Sequence, residues 1–251
     1  MARGRAKLAV STGISVWLLD APDGFGDARF HAHHAIQITI CFNGSVSLIE
    51  HDRVVTGPLL AVAPEHSHRL EASGLLGIVF VEPESPIGRH LRGIWFGAAR
   101  LVAIDDRRFL DAIAPLQRAM DEGYDDHTML RIAHEALGAI APADPPAPRD
   151  ERVQRIVDCA MTRPGASLQQ VAEAAGIYLS ESRLRHLFVA HTGLAFKTYM
   201  LWQRLVRAVG FYAEGLTLTQ AALEAGFADS AHFSRAFKAT FGAPASTLTR
   251  L

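Results

Sequence analysis

The sequence of 251 residues is short of several things, and each shortage excludes something. It holds two cysteines, Cys41 and Cys159, far apart and each among apolar neighbours. A disulfide framework is thereby excluded, and both read as buried reduced thiols. No apolar run approaches the roughly 18 residues that a membrane span requires. The opening MARGRAKLAV leads into no hydrophobic signal region with a small-residue cleavage site, so a cytoplasmic protein with no membrane partner is expected. Excess charge of one sign is lacking too, since the net charge is -1.

The charge that is there is unevenly spread. Residues 150–251 carry 11 Lys+Arg against 8 Asp+Glu, which leaves 14 against 18 for the rest. A basic C-terminal part beside an acidic N-terminal part suits a polyanion-binding module joined to something else. With 49% hydrophobic residues the chain can bury one sizeable core or two modest ones, and it is neither disordered nor fibrous. Histidine is also lopsided: of 12, six lie in the first 70 residues, at 31, 33, 34, 51, 66 and 68.

From Ile14 to Val81 short apolar runs (ISVWLL, AIQITICF, SVSLIE, LLAVAP, LLGIVFV) alternate with Gly, Pro, Asn and Asp, which predicts strands of a small all-β unit. Asn43-Gly44 reads as a hairpin turn between the second and third runs. After Pro86 the period becomes helical. Phe109, Ile113, Leu116 and Met120, then Leu130, His134, Leu137 and Ile140, predict two amphipathic helices around the polar turn 121–126, with a kink at Pro115. Residues 141–149, APADPPAPR, contain four prolines and read as an extended spacer.

Beyond the spacer lies an internal repeat. Ser167-Leu168-Gln169-Gln170 and Thr217-Leu218-Thr219-Gln220 are two capping-box signatures, each opening a helix. Each helix has a small residue, Ala172 or Ala222, where another helix can cross, and each ends at a glycine, Gly176 or Gly226. A second helix follows in each copy, with Leu184, Leu187 and Phe188 inward in one and Phe233, Ala236 and Phe237 in the other. The copies close at Gly193 and Gly242. Each is a helix-turn-helix unit, and Phe196 to Ala213 predicts the single helix that joins them.

These residues, with Thr192-Gly193, Tyr199, Arg204-Leu205, Ala208 and the stretch GFADSAHFSRAFKATFG from Gly226 to Gly242, resemble the AraC/XylS family of bacterial transcription regulators. The resemblance implies double-stranded DNA as partner. By position it assigns Ser182, Arg185 and His186 on the first recognition helix and Ser230, Ala231 and Arg235 on the second. Arginine can bridge guanine O6 and N7, Ser and His can make single hydrogen bonds, and Ala231 can touch only a thymine methyl. Residues 150–251 are expected to bind DNA by themselves.

Gly26, His31, His33, Gln37 and Gly44 resemble the first cupin motif, with Gln in place of Glu, and Gly57, Pro64 and His68 resemble a looser second motif. In cupins such residues hold a divalent metal. Here His31, His33, Gln37 and His68 would be the ligands, for Zn, Ni, Fe or Mn, since alternate histidines on a strand share a face. The other readings of this cluster are a small-molecule effector pocket and histidines that are merely hydrogen-bonded or exposed.

The fold expected is α+β and multidomain. It has a cupin-like β-barrel sensor at 1–95, a helical linker or dimerisation segment at 96–140, the spacer at 141–149 and an all-α double helix-turn-helix domain at 150–251. The expected function is a sequence-specific transcription regulator, not an enzyme, that senses a metal ion or small-molecule effector and works as a homodimer through helices of 105–140. The rival readings are a cupin metalloenzyme and a regulator whose N-terminal part only dimerises.

Overall fold

The structure, a computed structural model, describes residues 5–27, 29–140, 150–163 and 165–248; the proline-rich spacer 141–149 lies outside the described residues. The N-terminal part is built on an antiparallel sheet of β1 (Arg5–Ser11), β2 (Ile14–Gly26), β3 (Ile36–Glu50), β4 (Arg53–Thr56), β5 (Leu59–Val62), β6 (Arg69–Val81) and β7 (Leu101–Ala103). The order is β1-β2-β6-β3-β5-β7, with β4 paired to β3. Helix α1 (Pro86–Trp95) leaves β6, and β7 adds to β5, so the sheet continues into the stretch 96–140 that was expected to be helical.

Asn43-Gly44 is not a hairpin turn. Strand β3 runs straight through it, with a register shift between Cys41 and Asn43 against β6. Gly44 and Gly74 face each other in positive-φ conformations, and a Cβ on Gly44 would lie 2.0 Å from the Ser73 carbonyl oxygen. The glycine is there for a close backbone approach within the sheet. Chain reversal comes later, at His51, itself left-handed with φ 46. Cys41 and Cys159 are free but only half-buried.

Both faces of the sheet are covered, which is why its strands read as continuous apolar runs. On one face Val16, Leu18, Ile36, Ile38, Ile40, Val79 and Val81 pack against α2 (Arg107–Ile113), a 3-10 turn over Ala114–Arg118 and α3 (Asp126–Ile140). Pro115 removes a helical N–H and the helix tightens there rather than continuing. Phe109, Ile113, Leu116 and Leu137 are 0–2% exposed in this core. The stripe expected to form a dimer contact is thus consumed inside the chain.

The C-terminal part comprises α4 (Glu151–Met161), α5 (Leu168–Ala174), α6 (Glu181–Thr192), α7 (Phe196–Ala213), α8 (Leu218–Glu224) and α9 (Ser230–Phe241). Both capping boxes are complete: Gln170 N–H donates to Ser167 Oγ and Gln220 N–H to Thr217 Oγ1, while each glutamine side chain accepts from its cap's backbone N–H. Gly176 and Gly226 turn the chain in the left-handed region, and Gly193 and Gly242 cap α6 and α9 with φ 76 and 75.

The second face of the sheet meets this part directly. Leu8, Trp17, Leu19, Ile78 and Phe80 share one core with Trp202, Leu205, Phe237 and Phe241. Trp17 touches the ring of Phe241 at 4.9 Å, and Gln203 Nε2 donates to Glu82 Oε1 at 2.7 Å across the joint. Each buried aromatic of this kind contributes about 1.5 to 3 kcal/mol. An isolated 150–251 segment would expose this surface to water.

Candidate nucleic-acid interface and metal centre

Helix α6 starts at Glu181 behind Ser180 and buries Leu184 and Phe188. That rotation leaves Ser182, Arg185 and His186, at i, i+3 and i+4, together on one exposed face. Arg185 has a loose ion pair with Glu181 at 3.6 Å, both side chains in solvent, so its guanidinium can be given up to another acceptor at little cost. Helix α9 buries Phe233, Phe237 and Phe241 and exposes Ser230, Ala231 and Arg235. Its first turn is held by Asp229, whose carboxylate accepts from the His232 N–H at 2.6 Å. Both sets of sequence-assigned residues therefore lie on solvent-facing sides of rigid helices.

Further cations flank Arg185 beside α6. A cleft of about 930 Å³ beside it is lined by Arg163, Arg185, Lys197, Arg204 and Arg207. Arg204 is part-buried, stacked over Phe227 and donating to the Met200 and Gly226 carbonyls, which ties α7 to the second unit. Arg207 donates to the Met161 carbonyl at 3.3 Å and stacks over Phe211. It is therefore a joint between α7 and α4.

At the other functional cluster, the loop after β2 and the start of β6 form a two-stranded bridge in which His31 and His68 exchange backbone hydrogen bonds at 2.9 Å. His31, His33 and His68 are all buried, and ligand nitrogens of the three lie within 4.8 Å of one another. Gln37 joins them from β3: its Oε1 lies 2.9 Å from His33 Nε2 and 3.2 Å from His68 Nε2, while its Nε2 donates to Thr39 Oγ1 at 3.0 Å.

The hydrogen-bond inventory of this cluster fits a cation. His33 Nδ1 lies 3.0 Å from the Ala35 carbonyl and His68 Nδ1 2.9 Å from the His66 carbonyl. A neutral imidazole has one N–H, and each carbonyl requires it at Nδ1. Both Nε2 lone pairs then converge on Gln37 Oε1, itself an acceptor. Either the amide turns its NH₂ toward them in the metal-free protein, or a cation fills the space between the acceptors. Backbone carbonyls that fix the distal ring nitrogen are the support that metal-binding imidazoles use.

Burial keeps these imidazoles unprotonated, as ligands must be. It lowers His31 to about 3 and His33 to about 4, and holds His68 well below its ordinary value with help from its two neighbours. Asp27, absent from the sequence-level set, stands 3.4 Å from His31 Nδ1 and accepts the Leu70 N–H at 2.6 Å. Burial raises its carboxyl to about 7. Only its position after Gly26 could have drawn attention to it.

The remaining early histidines belong elsewhere. His34 Nε2 meets Glu84 Oε2 at 2.8 Å beneath the rings of Tyr199 and Trp202. His66 turns to Glu50 rather than sharing the site with His68. Between the N-terminal sheet and α9 lies a cavity of about 30 Å³, bordered by Trp17, Asp27, His31, Gln37, Phe237 and Phe241, room for a water molecule but not for an organic molecule. Among the described residues no helix is long and apolar enough to cross a membrane.

Residues 172–250 match the family described as a helix-turn-helix domain. The transcriptional activator RhrA of Rhizobium meliloti (strain 1021) is 27% identical over 128 residues, covering 50% of this chain and 40% of RhrA. The uncharacterised HTH-type transcriptional regulator YidL of Escherichia coli (strain K12) is 45% identical over 89 residues, covering 33% of this chain and 30% of YidL. The chain thus aligns with less than half the length of these curated relatives. Among solved structures, ToxT from Vibrio cholerae O395 superposes with a TM-score of 0.56 at 14% identity, covering 95% of this chain and 99% of ToxT. ToxT with a bound unsaturated fatty acid superposes with a TM-score of 0.54 at 15% identity, covering 97% and 95%. At that identity the likeness is one of fold.

Proposed function

For a chain that ends in an AraC-type helix-turn-helix domain and has the two-part fold of ToxT, we propose a sequence-specific DNA-binding transcription regulator whose N-terminal part senses a divalent metal ion. The observation that carries the DNA reading is the duplicated helix-turn-helix with both recognition faces exposed and lined by Arg185 and Arg235. Ser182, His186, Ser230 and Ala231 complete the two faces. Helix α7, about 27 Å long at ~1.5 Å per residue, has the length to hold α6 and α9 one duplex turn apart.

The sensing half rests on His31, His33, His68 and Gln37. A Zn, Ni, Fe or Mn ion there would supply the positive charge that their converging acceptors lack, with Asp27 beside His31 as a supporting carboxylate. A cavity of about 30 Å³ favours an ion over an apolar effector such as the fatty acid bound by ToxT. Homodimerisation, if it accompanies DNA binding, uses a surface other than the buried stripe of α2 and α3. The test is titration of the full chain on fragmented genomic DNA with and without these ions. Selective retention of a subset of fragments, altered by one ion, is expected; uniform retention of all fragments contradicts the reading.

A further inference from the structure

We propose that the second helix-turn-helix unit is the lid of the histidine site, with Gly242 the residue that lets it close, so that ion binding and docking of that unit on the sheet strengthen each other. The proposal rests on the metal reading above and adds how the site communicates with α9.

The lid is in contact with the ligands themselves. Gly242 ends α9 in the left-handed conformation, and a Cβ on it would lie 2.6 Å from His31 Nδ1 and 2.8 Å from Asp27 Cγ. Contacts below 3.0 Å require something to move, and what stands there is a buried imidazole and its carboxylate neighbour. One residue earlier, the Phe241 ring packs 6.4 Å from that of His33, and Trp202 of α7 lies 6.3 Å from the same ring. Residues of the connecting helix α7 and of the end of α9 thus roof two of the three histidines.

The direction of the coupling follows from how each ring is held. His33 and His68 are each fixed at Nδ1 by a backbone carbonyl, with Nε2 turned toward Gln37. His31 Nδ1 is buried with no hydrogen-bond partner, and Asp27 Oδ2 is 3.4 Å away. What positions the His31 ring on that side is packing against Asp27 and the Gly242 backbone. Lifting the lid frees the third ligand, and a looser third ligand binds metal more weakly. Linkage requires the converse: a bound ion must favour the docked lid by the same factor.

The chain contains its own control. Gly193 caps α6 with φ 76, as Gly242 caps α9 with φ 75, yet a Cβ on Gly193 would meet nothing within 4 Å. Gly193→Ala and Gly242→Ala carry the same backbone strain, and only the second pushes into the histidine site. Zinc affinity of the full chain is measured by competition with a chromophoric chelator. Gly242→Ala is expected to weaken it roughly tenfold or more, the scale of lost supporting contacts, while Gly193→Ala leaves it unchanged. Phe241→Leu, which spares the left-handed turn, is expected to weaken zinc binding in the same direction, against a Phe188→Leu control in the first unit. Wild-type affinity in both Gly242→Ala and Phe241→Leu overturns the lid while leaving the metal reading intact. An equal loss in the Gly193 and Phe188 controls also overturns it. A wild-type chain that takes up no zinc overturns the metal reading and the lid with it.

Discussion

Trp17 of the N-terminal sheet and Phe237 of α9 stack with ring planes 10° apart and centroids at 6.2 Å. The pair lies in the core that the N-terminal sheet shares with the C-terminal helices. Trp17→Ala is expected to cost about 3 to 5 kcal/mol, the range for large aromatic truncations. Because one core serves both halves, wild type should lose helix signal and tryptophan burial in the same urea transition; two separated transitions would contradict a shared core.

Leu116 is fully buried between the sheet and the helices after it. Leu116→Glu places an unpaired carboxyl in that core and should unfold the N-terminal half, with an expected loss above about 3 kcal/mol. Far-UV circular dichroism and urea midpoints measure it. A folded, stable variant that merely fails to dimerise would restore the stripe to the protein surface.

Much of the C-terminal half was legible because its signals are local. A hydroxyl three residues before a glutamine, a small residue in mid-helix and a terminal glycine each fix backbone geometry within one turn, and both copies fold that way. The spacing of His31, His33 and His68 pointed to one cluster, and they do meet, but from the loop between β2 and β3 and the residue before β6 rather than from one strand face, with Gln37 reaching them from β3. Asn43-Gly44 misled because glycine serves close approach as well as turns, and the Gly74 that meets it is remote in sequence. Gly242 was legible only as the glycine that closes the second unit and Asp27 only as the neighbour of Gly26; the meeting of Gly242 with Asp27 and His31 depends on how α9 docks on the sheet, a contact no periodicity encodes. The stripe of α2 and α3 was read correctly as apolar, but amphipathicity does not say whether a face meets its own chain or another.

Acid should destabilise the metal-free protein. His31, His33 and His68 have folded-state values depressed well below the ordinary 6.5, so the unfolded chain binds their protons first as pH falls. Their stabilising contribution is complete above about pH 6.5 and is lost as pH drops toward 4. Asp27, raised to about 7, acts in the opposite direction over the same window but is one group against three. Around pH 5 the three histidines outweigh the one carboxyl, so stability falls as pH falls. Urea midpoints from pH 7 to 4.5 check this, and a flat profile would remove the buried neutral histidines.

Metal should stabilise the folded chain. At about 100 times its dissociation constant an ion adds about 2.7 kcal/mol, which for a chain of this size raises Tm by roughly 5 to 10 °C. His33→Ala should abolish the shift, and elemental analysis of wild type should find close to one ion per chain. An ion-independent Tm in wild type would leave the cluster as a hydrogen-bonded core.

The reading of DNA by α9 is tested most directly by affinities of wild type and Arg235→Ala at one fixed salt concentration, on a preferred site and on its scrambled counterpart. Arg235 is exposed on α9, and a bidentate base contact from it is worth about 1 to 3 kcal/mol. The expected result is a loss of that size on the preferred site and little change on the scrambled one, with Arg131→Ala on α3, a solvent-exposed partner of Glu135, leaving both unchanged. An equal loss on both sites would make Arg235 a phosphate contact and contradict base reading by the second recognition helix.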